Sequence, residues 1–220
     1  QTGSRKQIHQ KITSVIRFNM CIAIPCAMGF LGLAKPILDL LFFTQDNNTA
    51  ARMLQLGAIS VVFFCLSTVT TSVLQGLDDM ITPVKNSAIA LVIHVVALLL
   101  MMIVFEWNIY AVVLSKIVFA GALCILNAHA LRERINYVQE QRLTFIIPAA
   151  ASAVMGIVTI VLHLLIELFI GEYAATIIVL PVAVVVYAAA LVLFGGVSEE
   201  EVLDMPKGAT LVTLCRKLHL

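Results

Sequence analysis

The sequence predicts an all-α, polytopic membrane protein with about six transmembrane helices, followed by a C-terminal amphipathic helix at the membrane interface. Hydrophobic residues make up 61% of the 220 positions and charged residues only 12%, whereas soluble proteins carry about 25% charged residues. The charged residues also lie mainly between long apolar segments. Because the interior of a bilayer offers the backbone no hydrogen-bond partners, such segments are expected to be helical. No part of the chain has the composition of a large water-soluble domain.

Six apolar segments reach or exceed the ~20 residues that a helix needs to cross a bilayer. They are Val15–Phe43, Met53–Leu77, Ile81–Phe105, Ile109–Leu131, Phe145–Ile170 and Tyr173–Phe194. The first segment is longer than one crossing requires and contains Pro25 and Pro36. Because proline removes a helical hydrogen bond, we expect this segment to kink or to end early. The connections are short except for Arg132–Thr144.

The connection between the second and third segments, LQGLDDMITP, has the pattern of a tight hairpin. Gly76 is predicted to end one helix, because glycine adopts the left-handed conformation at little cost. Asp78 and Asp79 are expected to keep the turn in water. Thr82 suits the cap of the next helix, and Pro83 suits its first turn because it lacks the N–H that would be unpaired there.

Lysine and arginine are concentrated on one side of the predicted bundle. The opposite side receives little beyond Arg52, together with Asp46, Glu106 and Glu172. By the positive-inside rule, we expect the basic side to be cytoplasmic, and an even number of crossings places both termini there. The basic side receives Arg5, Lys6, Lys11, Lys85, Arg132, Arg134, Arg142, Lys207, Arg216 and Lys217.

The two ends of the chain differ from the bundle between them. The chain begins at Gln1 with a polar, basic stretch and without a signal-peptide pattern, which is typical of a portion of a longer protein. We expect residues 1–196 to form the transmembrane bundle and residues 197–220 to form a cytoplasmic tail. In that tail, Ser198 precedes a run of glutamates that suits a helix start. The basic, leucine-containing stretch Ala209–Leu220 suits either the inner membrane surface or a solubilising terminal helix.

Ionisable residues inside membrane spans are costly and are therefore candidates for function. His94 lies near the middle of the third segment, and Lys116 lies about 10 Å along its helix from the outer end. Both are candidate substrate-binding residues. The alternative for His94 is an interhelical hydrogen bond, and the alternative for Lys116 is snorkelling toward the headgroups. His163 and Glu167 share a helix face, and a pair between them is one interpretation, but exposure to solvent at the outer interface is the favoured one.

The sequence contains no catalytic signature. GxSxG, HExxH and Walker A patterns are absent, so we expect a protein that is not an enzyme and that has neither a cofactor nor a metal. Without an ATP site, any transport would be secondary or passive. The five cysteines have no CxxC spacing and are predicted to be reduced, structural thiols: Cys21, Cys26, Cys65, Cys124 and Cys215.

Three stretches, in order, carry a resemblance to a known family: PCAMGFLGLAKPILDLLFF, LQGLDDMITP and EEEVLDMPKG. Together they resemble the C-terminal part of the polysaccharide-biosynthesis flippases. The most similar branch is the stage V sporulation protein B-like group, relatives of the lipid II flippase in the multidrug/oligosaccharidyl-lipid/polysaccharide exporter superfamily. Such transporters have about fourteen helices, in two lobes around a central cavity. The resemblance covers essentially the whole chain and implies that it supplies the last six helices.

The resemblance implies a secondary-active flippase that moves undecaprenyl-linked cell-wall or polysaccharide precursors across the bacterial cytoplasmic membrane by alternating access. The implied partners are the lipid-linked glycan, membrane lipids and the missing N-terminal lobe of the same polypeptide, with no nucleic acid. The family's cationic residues for pyrophosphate lie mostly in that first lobe, so Lys116 and His94 are candidates by placement alone. The alternative is a multidrug cation antiporter of the same superfamily, and a membrane-embedded enzyme or passive assembly subunit is a third interpretation.

Overall fold

The computed structural model describes residues 2–42 and 46–196, with the backbone alone for residues 2–6. Within these ranges it contains six helices that are long and apolar enough to cross a membrane, which confirms the predicted all-α, polytopic fold. A π-helical turn, Arg142–Ile146, leads into the fifth helix. The predicted amphipathic tail helix lies outside the described residues. The helices are α1 Thr2–Leu41, α2 Asn48–Gly76, α3 Ile81–Ile103, α4 Asn108–Ile135, α5 Ile147–Ile170 and α6 Glu172–Leu193.

The helices form two groups that share α1. In one group, α4 packs extensively against both α2 and α3, whereas α2 and α3 touch each other little. In the other group, α6 packs against α5, and α1 contacts both of them as well as α2. The start of α1, the α2–α3 and α4–α5 connections and the end of α6 lie together at one end of the bundle.

The two ends of the bundle differ in charge, as the sequence predicts. We call the end that contains the α2–α3 connection the basic end, because it carries Lys11, Lys85, Arg132, Arg134 and Arg142. The opposite end, where α5 ends and α6 begins, is the acidic end, and it carries Asp39, Asp46, Glu106, Glu167 and Glu172. That the basic end faces the cytoplasm remains a prediction.

The predicted kink in the first apolar segment is present. Leu33 has non-helical backbone angles (φ −115°, ψ 19°) inside α1. Pro36 lies three residues further on and has no N–H to donate to the carbonyl of Gly32. The loss of that hydrogen bond explains why the helix bends at this position.

The α2–α3 turn corrects two predictions about the hairpin. Gly76 is the last residue of α2, and the left-handed residue is Asp78, with φ 60°. A short polar side chain tolerates this conformation better than most residues do. The helix therefore ends at Gly76 as predicted, but without the left-handed glycine on which that prediction rested. The prediction that Thr82 caps α3 is wrong. The carboxylate of Asp79 accepts hydrogen bonds from the Thr82 backbone N–H (3.0 Å) and hydroxyl (2.8 Å).

The main core lies toward the basic end. Ile16 and Met20 of α1, Leu74 of α2 and Leu131 of α4 are fully buried there. A smaller core, formed by Ala151, Ala190 and Leu191, joins α5 to α6. Large apolar side chains cover much of the outer surface of α3, α5 and α6, which is typical of helices in contact with lipid or with further helices.

Candidate functional site

His94 joins α3 to α4 close to the middle of the bundle. Its Nδ1 lies 2.9 Å from the backbone carbonyl oxygen of Ser115, and because a carbonyl oxygen only accepts, Nδ1 is the donor. The His94 ring also meets Phe119 edge to face, at 5.9 Å between centroids, and Phe119 contacts Phe64 of α2 at 6.0 Å. His94 thus makes the interhelical hydrogen bond, and the Phe119 side of α4 faces the junction of α2 and α3.

Lys116 lies on this same side of α4, one turn nearer the acidic end than Phe119. Val112, Lys116, Phe119, Leu123 and Asn127 follow one another at helical spacing and form a stripe along this side of α4. Leu123 and Asn127, toward the basic end, are buried. Val112 and Lys116 are exposed instead. The stripe is therefore covered by α2 and α3 near the basic end and uncovered near the acidic end. We call the uncovered part, around Val112 and Lys116, the α2–α3 opening.

The ammonium group of Lys116 gives the α2–α3 opening a positive charge. It makes no hydrogen bond or ion pair with the described residues, 2–42 and 46–196. Eight positions separate it from Asn108, the first residue of α4, which corresponds to about 12 Å along the helix. An ammonium inside a membrane is costly without an anionic partner. This position can therefore attract a negatively charged group.

A buried hydrogen-bond network joins this side of α4 to α2 and α3 toward the basic end. The amide nitrogen of Asn127 donates to the hydroxyl of Thr71 (2.9 Å), and the hydroxyl of Thr70 and carbonyl of Ser67 lie 3.3 Å away. Its amide oxygen accepts a hydrogen bond of 2.9 Å from Asn86 of α3. Asn127 thus bonds α4 to α2 and α3 together. Our sequence interpretation missed both asparagines, although an amide inside an apolar segment is itself a signal for such a bond.

An ion pair ties the α2–α3 turn to the end of α4. Arg134 Nη1 lies 2.6 Å from the Asp79 carboxylate, and Nη2 donates to the carbonyl of Leu77 at 3.0 Å. The pKa of Asp79 is lowered, first by the hydrogen bonds from the Thr82 backbone and hydroxyl and then by Arg134. The turn at the basic end is therefore held by the ionised form of Asp79.

The α4–α5 connection is fixed against the start of α1. His9 Nε2 lies 2.9 Å from the carbonyl of Ile135, and the Tyr137 hydroxyl contacts Thr13 at 3.1 Å and donates to Gln139 at 2.6 Å. Burial raises the pKa of the Tyr137 phenol, so it stays a neutral donor. These bonds join the basic ends of α1 and α4 into one rigid region.

The structure corrects the interpretation of His163 as solvent-exposed. This side chain is buried at 5% exposure, with Nε2 3.0 Å from the hydroxyl of Thr176 on α6. Its Nδ1 lies 3.6 Å from the carboxylate of Glu167, which is exposed as expected. The sequence could not show the burial, because it depends on where α6 packs. In the described part of the chain no disulfide joins the cysteines: Cys21, Cys26, Cys65 and Cys124.

Comparison with known proteins assigns the chain to a family. The family model described as Lipid II flippase MurJ matches residues 1–184. No curated protein matches the chain. The family match agrees with the resemblance to flippase-type exporters and with six membrane-spanning helices. A flippase moves a lipid between leaflets and is a transporter rather than a catalyst. The chain is a multi-pass membrane protein that belongs to the MurJ lipid II flippase family.

Proposed function

We propose that this chain is part of a secondary-active flippase that translocates undecaprenyl-linked cell-wall or polysaccharide precursors across the bacterial cytoplasmic membrane. The family match over residues 1–184 is the observation that carries this proposal. Lipid-linked precursors of this class have an anionic pyrophosphate and a long apolar tail. A transporter for them needs an aqueous, cationic path for the headgroup and an apolar surface for the tail.

Lys116 is our candidate for a cationic contact with the headgroup. The residue is exposed in a membrane-spanning helix and has no partner within the described chain. Because Lys116 is exposed in the α2–α3 opening, a group from outside this bundle can reach its ammonium. A charge-assisted hydrogen bond to phosphate is the contact that an ammonium makes best.

His94 is our candidate for positioning Lys116 for that contact. Its hydrogen bond to the Ser115 carbonyl fixes the backbone next to Lys116. We therefore assign His94 a positioning role, in which the ring holds α3 against α4 and does not itself bind the headgroup.

A multidrug cation antiporter of the same superfamily is less well supported. Such a protein would carry acidic residues deep in its spans to attract cations. In α3 and α4, the basic residues deepest in the spans are His94 and Lys116, and no aspartate or glutamate lies at a similar depth in these two helices. A fixed positive charge repels a cationic substrate, which favours an anionic lipid.

We further propose that residues 1–196 are the C-terminal portion of a longer, two-lobed transporter of about fourteen helices, with residues 197–220 as a cytoplasmic tail. The basic end, and with it both termini of this chain, would then face the cytoplasm. The missing N-terminal lobe would be the principal partner, and it would supply most of the cationic pyrophosphate contacts. Labelling of a cysteine at position 79 by an impermeant reagent from outside the cell would contradict this orientation.

Replacement of Lys116 in the full-length polypeptide tests the proposal. In cells depleted of their own flippase, a membrane-impermeant enzyme that cleaves the precursor reports how much precursor reaches the outer leaflet. Lys116→Gln should lower that amount by about tenfold, the loss expected for one charge-assisted hydrogen bond. Lys116→Arg should retain part of the activity, and protein abundance should be unchanged in both variants.

Lys85→Gln is the matched control, because Lys85 is an exposed lysine at the basic end, away from the α2–α3 opening. Its activity should equal that of the parent. If Lys116→Gln also equals the parent, Lys116 is an interfacial anchor and has no role in binding. The His94→Gln variant should retain activity, because the glutamine amide N–H can donate to the Ser115 carbonyl. The His94→Leu variant should lose part of the activity, because leucine has no such donor.

A further inference from the structure

A polar cleft lies at the acidic end, between the kinked part of α1 and the α5–α6 hairpin. Its volume is about 230 Å³. It is separate from the α2–α3 opening, since none of its lining residues belongs to α2, α3 or α4. The residues that matter for its chemistry are Gly32, Lys35, His163, Leu164, Glu167 and Glu172.

The floor of the cleft is built from a buried side chain. His163 is 5% exposed and contacts the Thr176 hydroxyl of α6 at 3.0 Å, while its other ring nitrogen lies 3.6 Å from the Glu167 carboxylate. These contacts hold α5 against α6 and orient Glu167 at the wall of the cleft. His163 is thereby held in one orientation where it lines the cleft.

The backbone of α1 adds a further acceptor to the wall. Gly32 lines the cleft, and Pro36 has no N–H to give to the Gly32 carbonyl. A Cβ at Gly32 would lie 3.1 Å from the Ile160 side chain, so α1 and α5 pack closely at this wall of the cleft. The acceptors that line the cleft are the carboxylates of Glu167 and Glu172, and the Gly32 carbonyl beside them lacks the N–H of Pro36.

The charges around the cleft are mixed. Glu167 and Glu172 are separated by the short α5–α6 turn, and Lys35 is exposed on α1. Within the described part of the chain, the side chains of Lys35 and Glu172 form no hydrogen bond or ion pair. The cleft thus offers acceptors for one cationic group and a separate donor for one anionic group.

We propose that this cleft binds the headgroup of a phospholipid that carries a primary amine. The ammonium would donate to the carboxylates of Glu167 and Glu172, and the phosphate would meet the Lys35 ammonium. The cleft lies at an end of the membrane-spanning helices, where headgroups are located. The α5 surface that runs from it into the membrane is apolar and exposed, as acyl chains require: Val161, Leu164 and Leu165.

Binding of short-chain lipids to the full chain in detergent tests this proposal. Native mass spectrometry would compare short-chain phosphatidylethanolamine with the choline and glycerol analogues. Choline has no N–H to donate and glycerol has no positive charge, so phosphatidylethanolamine should bind about tenfold more tightly than either. Free ethanolamine should not displace it at equal concentration, because it lacks the phosphate and the acyl chains.

Two variants and two matched controls locate the site. Glu172→Gln should lower the ratio of the affinities for the ethanolamine and choline lipids by about fivefold. Lys35→Gln should lower the affinity for all three lipids by a similar factor. Glu106→Gln and Arg52→Gln change charges at the same end outside the cleft and should leave binding unchanged. Equal binding of the ethanolamine and choline lipids, an unchanged preference in Glu172→Gln, or displacement by free ethanolamine would each overturn the proposal.

Discussion

The hydroxyl of Tyr187 on α6 donates a hydrogen bond of 2.7 Å to the carbonyl oxygen of Cys21 on α1. This carbonyl lies four residues before Pro25, which has no N–H for the helical bond. The proline therefore creates the acceptor, and the tyrosine uses it to fasten α6 to α1.

Tyr187→Phe should lower the free energy of unfolding by about 1 kcal/mol, because one hydrogen bond in a membrane interior is lost. Thermal unfolding in detergent measures it. Tyr110→Phe is the control, since none of the described contacts involves its hydroxyl. In a Pro25→Ala background the Cys21 carbonyl regains a helical donor, so the same replacement should cost less. An equal cost in both backgrounds would show that the Tyr187 hydrogen bond does not depend on the missing N–H of Pro25.

Asn127→Leu should lower the free energy of unfolding by about 1–3 kcal/mol, because the amide of Asn86 and the Ser67 carbonyl lose a buried partner. Chemical unfolding in mild detergent measures the change. Asn19→Leu is the control, as its amide nitrogen bonds only its own helix, at the Val15 carbonyl, and its amide oxygen receives only a long thiol contact of 4.0 Å from Cys65. In the Asn86→Leu background, Asn127→Leu should cost less than in the wild type. A loss of similar size from Asn19→Leu would show that the network has no special role.

The Asp79 carboxylate should make the free energy of unfolding decrease at acidic pH. Its pKa is lowered below the usual 3.8 in the folded chain, so its contribution is present above that value and is lost as the pH falls through the lowered pKa. Unfolding midpoints measured from pH 6 downward should fall in the wild type and fall less in Asp79→Asn. Asp78→Asn replaces the neighbouring carboxylate and should keep the wild-type dependence. Parallel curves for Asp79→Asn and the wild type would contradict the role of the carboxylate.

The left-handed conformation of Asp78 should decide which turn substitutions are tolerated. Asp78→Val places a β-branched residue at φ 60° and should cost about 1–2 kcal/mol of stability, whereas Asp78→Gly should be tolerated. Gly76→Ala should be close to neutral, because an added Cβ there meets nothing within 4 Å. Expression and melting temperature of the three variants measure these effects. A larger loss from Gly76→Ala than from Asp78→Val would restore glycine as the turn-forming residue.

Local properties of the sequence were sufficient for the architecture. Each of the six spans is long and apolar enough to cross a membrane on its own, because transfer into the bilayer depends on the segment and little on its neighbours. Pro36 marked the kink in α1 for the same reason, since the missing N–H is a property of that residue. The charged connections likewise indicated the two ends of the bundle, and three short motifs indicated the family.

Only the tertiary structure decided which polar groups meet. Asn127 pairs with Asn86 across 41 positions of sequence, and Tyr187 with Cys21 across 166. The burial of His163 depends on Thr176 in the next helix, and the exposure of Lys116 depends on how far α2 and α3 cover α4. The physical reason is that the hydrophobic pattern of a membrane helix fixes its depth but barely fixes its rotation, because its lipid-facing and helix-facing sides are both apolar. The sequence by itself therefore determined how many helices cross the membrane, and packing between them determined which side chains form a site.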